Sequence, residues 1–136
     1  LYASALQQYE QCLQILQACL APDHAEVADV LTCIGLAHKK LSRYPAALAN
    51  YERARQILEA QLGSRHTKLG VLFYNMADVY RKQRDYITAW KLYVCSPRSR
   101  ARFACQTESV ADLRHNAARQ LRELARHPRA QPRIRA

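Results

Sequence analysis

Glycine is scarce in this 136-residue chain, at 3 residues, and proline little commoner at 5. A many-stranded β-protein needs turn residues about every 8–12 positions, so an all-β fold is excluded and helices are favoured. Three isolated glycines cannot form a phosphate-cradling loop, and neither GxSxG nor HExxH occurs. No enzyme is therefore expected. Every apolar stretch is interrupted by Gln, Asp, Lys or Arg well before the roughly 18 residues of a membrane span, so no membrane partner is expected. The cysteines, Cys12, Cys19, Cys33, Cys95 and Cys105, are odd in number and contain no CxxC pair, and no two histidines stand four apart. That spacing argues against disulfides, zinc and any cofactor, and for buried thiols in a reducing, cytoplasmic compartment. Leu1 begins neither with Met nor with a basic and apolar secretory leader. A fragment of a longer protein is expected to look this way.

Lysine is missing from the last third altogether. Residues 94–136 hold 10 Arg, no Lys and 3 acidic residues, whereas residues 1–93 hold 11 Lys plus Arg against 8 Asp plus Glu. Most of the net charge of +10 thus lies beyond Tyr93. The composition divides the chain into 1–93 and 94–136, with the change at SPRSR.

The first part repeats itself. Tyr2, Ala5, Leu6, Tyr9, Glu10, Ile15, Leu16 and His24 recur 42 residues on as Tyr44, Ala47, Leu48, Tyr51, Glu52, Ile57, Leu58 and His66. Lys40, Tyr44, Ala47 and Tyr51 recur again as Lys82, Tyr86, Ala89 and Tyr93. Within a unit, Ala47, Leu48, Tyr51, Ala54 and Leu58 follow helical steps, as do Val30, Leu31, Ile34, Ala37 and Leu41 before them. Pro45 suits a first helical turn, and Gly63 offers a left-handed C-cap. Each unit reads as an antiparallel helix pair that must stack on its neighbours to bury its apolar faces. The expectation is an all-α protein, an α-solenoid. It would hold the second helix of one repeat, one complete pair, and a further pair cut short beyond Tyr93.

Leu31, Ile34, Gly35 and His38, followed by Tyr44, Ala47, Tyr51 and Ala54, resemble the tetratricopeptide repeat (TPR). That family usually repeats at about 34 residues. The longer unit here, with Pro22, Asp23, His24, Glu26, Val27 and Ala28 between repeats, looks like the kinesin light chain subclass. The resemblance covers Tyr2 to about Tyr93. It implies a non-catalytic scaffold or adaptor that binds peptides on the concave surface of its first helices. By helical phase that surface would carry Asp29, Thr32, Leu36, Lys39 and Lys40 from one pair and Val71, Tyr74, Asn75, Asp78, Arg81 and Lys82 from the next. Lys39, Lys40, Arg81 and Lys82 would then recognise an acidic peptide segment, with Tyr74 and Asn75 beside them. The same cations could instead be solvated helix ends, where the macrodipole favours positive charge. Asn75 matches a carboxamide position that the subclass uses on a peptide backbone, and Cys33 replaces it in the preceding pair. His24 and His66 read as capping or packing residues, His38 as a packed one, and Tyr9, Tyr51 and Tyr93 as space-filling residues between helices.

Beyond the repeats, Val110, Leu113, Ala117, Leu121 and Leu124 form one stripe, and Ser109 with Asp112 resembles a capping box. A helix over about 109–126 is predicted, lying as a lid on the last repeat. The rival reading is nucleic acid, with Arg114, Arg119, Arg122, Arg126 and RAQPRIRA neutralising phosphates. Phe103 is the sole aromatic in that segment, which argues against base stacking. A disordered segment or an altered terminus is the third reading.

Overall fold

The computed structural model describes residues 1–63, 66–95 and 107–127. These residues form six helices: α1 (Tyr2–Cys19), α2 (Ala25–Lys40), α3 (Tyr44–Leu62), α4 (Thr67–Lys82), α5 (Tyr86–Cys95) and α6 (Thr107–Arg126). No strand occurs among the described residues. The segments SPRSRAR and RAQPRIRA, with Phe103 and Cys105, lie outside them.

Capping explains where the helices start. The Nδ1 atoms of His24 and His66 accept from the backbone N–H of Glu26 and Lys68, each at 3.2 Å. Accepting at Nδ1 leaves the proton of the neutral ring on Nε2. Each histidine satisfies one amide that helix geometry leaves unpaired, the role usually taken by Ser or Asp. Pro45 stands in the first turn of α3, where its missing N–H costs nothing.

The turns from α2 to α3 and from α4 to α5 are built alike. Ser42 and Arg84 adopt left-handed backbone, with φ of 59° and 62°. Arg43 N–H donates to His38 O and Ser42 N–H to Lys39 O, and Asp85 and Arg84 repeat this onto Tyr80 and Arg81. These are Schellman closures with a side chain where glycine is usual. At Gly63 the expected left-handed cap is corrected: φ is 82° but ψ is 161°, an extended conformation essentially reserved for glycine.

Helix α2 packs chiefly on α3 and α4 on α5, while α1 on α2, α3 on α4 and α5 on α6 join pair to pair. The main core gathers Val27, Ala28, Leu31, Ala47, Tyr51, Ala54, Ile57, Leu58, Leu69, Leu72, Met76 and Val79. At its centre, Gly35 lets α3 approach so closely that a Cβ there would stand 2.5 Å from Cε1 of Tyr51. Burial, then the negative charge of Asp78, push the Tyr51 phenol far above its ordinary range, so it stays neutral. Tyr9 departs from the expected packing role and is 37% exposed, because no helix among the described residues covers that side of α1. For the same reason Cys12 is exposed rather than buried; Cys19 is exposed as well, as is Gln61 at the corresponding place of α3, and Cys33 is half-buried.

Helix α5 is described over 10 residues, Tyr86–Cys95, beside 19 in α3. Helix α6 lies against it, burying Leu113 and Ala117, with Leu113 in a cluster of Ala77, Ala89 and Tyr93. Since α6 begins at Thr107, Ser109 lies inside it and not before it. Leu121 is 54% exposed, not packed as its stripe suggested. It stands one residue past Gln120, which already touches the beginning of α5, so the rest of α6 runs on beyond its neighbour.

Candidate functional site

Helices α2 and α4 lie side by side, and their facing residues form the candidate surface. Asp29 Oδ2 accepts from Lys68 Nζ at 2.7 Å near the helix starts, and Asp78 Oδ2 accepts from Lys39 Nζ at 3.0 Å near their ends. Both pairs are 39 positions apart in sequence. Arg81 also donates through Nε to Asp78 Oδ1, at 3.2 Å.

The two cations on Asp78 are not equivalent. Lys39 is only 6% exposed, whereas the Arg81 side chain is 48% exposed. Lys39 was expected on the open surface; the structure buries its stem and spends its charge on Asp78. Burial works to raise the Asp78 pKa, but hydrogen bonds from Arg81 and Lys39 outweigh it and hold the carboxyl below its ordinary value. Asp78 is therefore an anchor for cations and not itself a contact for an acidic ligand.

Lys40 and Lys82 are exposed, each without an ion-pair partner among the described residues. Tyr74 is exposed at 36%, Leu36 at 40%, and Asn75 is half-buried. Thr32 turns its hydroxyl back to Ala28 O at 2.8 Å and so bonds its own helix. Cys33, where the offset would repeat Asn75, has its thiol pKa raised by burial, then by Asp29 and Cys12. It stays a protonated thiol. His38 is half-buried and its Nδ1 has no hydrogen-bond partner among the described residues.

Arg81 thus presents a half-exposed guanidinium held by Asp78, and Lys40 and Lys82 are exposed at the ends of α2 and α4. A carboxylate meeting these groups finds charge-assisted donors in a geometry set partly in advance. No group of three His, Cys, Asp or Glu among the described residues could hold a metal ion. No helix among them is long and apolar enough to cross a membrane.

Gln120 was not singled out by sequence reasoning. Its Oε1 accepts from the amides of Tyr86 and Ile87 at 3.0 and 3.2 Å, and its Nε2 donates to Arg84 O at 3.1 Å. One α6 side chain thereby closes the turn into α5. A lone glutamine in a helix carries no sequence signal for this. The Asp29–Lys68 pair did leave one, since opposite charges recur there at the spacing of Lys39 and Asp78.

Compared with known proteins, the chain matches a family model described as tetratricopeptide repeat over residues 26–96. No curated protein matches it.

Proposed function

The chain belongs to the tetratricopeptide repeat family, a family of non-catalytic scaffolds whose repeats mediate protein–protein interactions, and on that premise we propose that it binds acidic, extended peptide segments across α2 and α4. The observation that carries this reading is the half-exposed Arg81 guanidinium held on Asp78, with Lys40 and Lys82 exposed at the ends of the same two helices. Tyr74 and Asn75 supply an aromatic face and an amide on the same helix. Lys39 acts by positioning Asp78 and not by touching the ligand. The 42-residue offset and the 19-residue α3 support an adaptor of the kinesin light chain-like type. The unpaired thiols of Cys12, Cys19 and Cys33 suit a cytoplasmic setting, and the chain works without a catalytic role of its own.

The test is charge reversal at Lys40, Arg81 and Lys82, leaving Lys39 in place because its burial would confound folding. Charge-assisted hydrogen bonds contribute about 1.5–3 kcal/mol each. Affinity for Asp/Glu-rich peptides, measured by fluorescence anisotropy, is expected to fall by about 10-fold or more with helicity unchanged. Undiminished affinity would refute the reading. Salt-sensitive RNA retention that disappears on replacing Arg114, Arg119, Arg122 and Arg126 would favour the nucleic-acid rival instead.

A further inference from the structure

Where the turn from α4 to α5 meets α6 there is a cleft of about 420 Å³, lined by Arg84, Tyr86, Asn116, Arg119, Gln120 and Glu123. That volume lies within the range of ordinary ligand sites. The four α6 residues stand at i, i+3, i+4 and i+7 and so share one helix face. Gln120 ties the two sides together, accepting from the Tyr86 and Ile87 amides at 3.0 and 3.2 Å and donating to Arg84 O at 3.1 Å. The Arg84 backbone is held a second time, because its N–H donates to Arg81 O at 3.0 Å. The cleft is therefore built by hydrogen bonds between α6 and the turn, and its lining starts from fixed backbone.

Two guanidinium groups line this cleft, and neither is used up. Arg84 is exposed and forms no ion pair among the described residues. Arg119 donates through Nε to Glu123 Oε1 at 3.2 Å, which orients its fork and leaves the two Nη groups open. The Asn116 carboxamide is half-buried and has no hydrogen-bond partner among the described residues, so it offers both a donor and an acceptor. Asp85, the acid next to Arg84, is turned into α5, where its carboxylate accepts from the N–H and hydroxyl of Thr88 at 3.2 and 2.7 Å. Arg84, Arg119 and Glu123 together leave the lining with a single net positive charge. One carboxylate balances it, whereas a dianionic phosphate would leave excess negative charge beside Glu123. The planar guanidinium fork also matches a carboxylate in shape.

We infer that this cleft receives the carboxylate of one Glu or Asp side chain of the acidic segment, so that α6 is part of the binding site and not only a lid; the inference rests on the function proposed above for its occupant. It adds an anchor away from the facing surfaces of α2 and α4. The bond from Arg84 to Arg81 O places the cleft beside the end of α4, where Arg81 and Lys82 stand. An extended chain advances about 3.3 Å per residue, so a segment held at Arg81 brings a second acidic side chain to the cleft a few positions on. Arg84 and Arg119 meet its charge, and the Asn116 amide pairs with the adjoining peptide bond.

The test uses the full chain and a fluorescein-labelled peptide of alternating Glu and Ser. Arg84→Gln with Arg119→Gln removes both forks, leaves Gln120 on the α5 amides, and gives up only an exposed ion pair that contributes little to stability. Arg122→Gln with Arg126→Gln is the control, because it removes the same charge from exposed α6 positions that do not line the cleft. The cleft pair is expected to weaken the peptide by about 10-fold, and the control pair by less than about 2-fold. In nuclear magnetic resonance titrations the Asn116 side-chain amide should shift with the peptide, and with glutarate at lower concentration than with inorganic phosphate. The inference is overturned if the cleft pair keeps the parent affinity, if the control pair loses as much, or if phosphate acts before glutarate. The two readings fail separately. Loss on charge reversal at Lys40, Arg81 and Lys82 but not with the cleft pair removes the cleft alone. Loss with the cleft pair but not on that reversal refutes the surface across α2 and α4 and leaves the cleft as the site.

Discussion

Replacing Gly35 with alanine should destabilise the protein, against the ordinary trend for a helix interior. Gly→Ala inside a helix normally gains about 0.5–1 kcal/mol, because alanine loses less backbone freedom on folding. Here the new methyl would lie 2.5, 2.7 and 3.0 Å from Cε1, Cδ1 and Cζ of Tyr51. That ring has no exposed surface, so it cannot swing into solvent to make room. Overpacking a close-packed interior costs about 1–3 kcal/mol, and the net loss should be about 0.5–2 kcal/mol. Thermal unfolding followed by far-ultraviolet circular dichroism would register this as a fall in Tm of about 2–6 °C. The decisive comparison is the same substitution in a Tyr51→Leu background. With the ring gone the clash is gone, and Gly35→Ala should become stabilising by about 0.5–1 kcal/mol. Ala77→Gly serves as a control: the last pair already accommodates a methyl there, so its removal should cost about 0.5–1 kcal/mol. If Gly35→Ala raises Tm in the native background, or if the sign does not invert without Tyr51, close approach is not why glycine stands at that position.

Asp78→Asn should cost about 3 kcal/mol, because it leaves the buried Lys39 without a counter-charge; equilibrium urea unfolding measures it. The same variant should lose part of the acid sensitivity of the parent. The folded pKa of Asp78 lies below its ordinary 3.8, so its contribution is complete above that value and is lost as pH falls through the folded pKa. The parent, and not the variant, should therefore weaken additionally below about pH 4. Gln120→Ala should remove three hydrogen bonds between α6 and the start of α5, at about 1 kcal/mol or less each. Hydrogen exchange should quicken selectively at the Tyr86 and Ile87 amides, and unaltered protection there would show that Gln120 is not their cap.

The fold was legible because stacked helix pairs write their packing twice. Tyr51 and Tyr93, Ala47 and Ala89, and His24 and His66 each identify the same structural place in successive units. The site was less legible because phase places a side chain on a face without saying what it meets. Lys39 has the right phase for the open surface, yet its neighbour in space is Asp78, distant in sequence. Tyr9 and Cys12 misled for the opposite reason: periodicity describes the face of α1 but not the presence of a helix on it. Ser42 and Arg84 show a third limit, since neither residue type marks a left-handed turn. Their conformation is imposed by the helices they join.

The two ion pairs joining α2 to α4 have reversed polarity: an acid of α2 meets a base of α4 at one end, and a base meets an acid at the other. Turning α4 end for end would bring Asp29 opposite Asp78 and Lys39 opposite Lys68, like charge against like at both ends. Apolar stripes alone are nearly indifferent to direction. These four residues are not, since a reversed α4 would set like charge against like at both ends and be penalised for it.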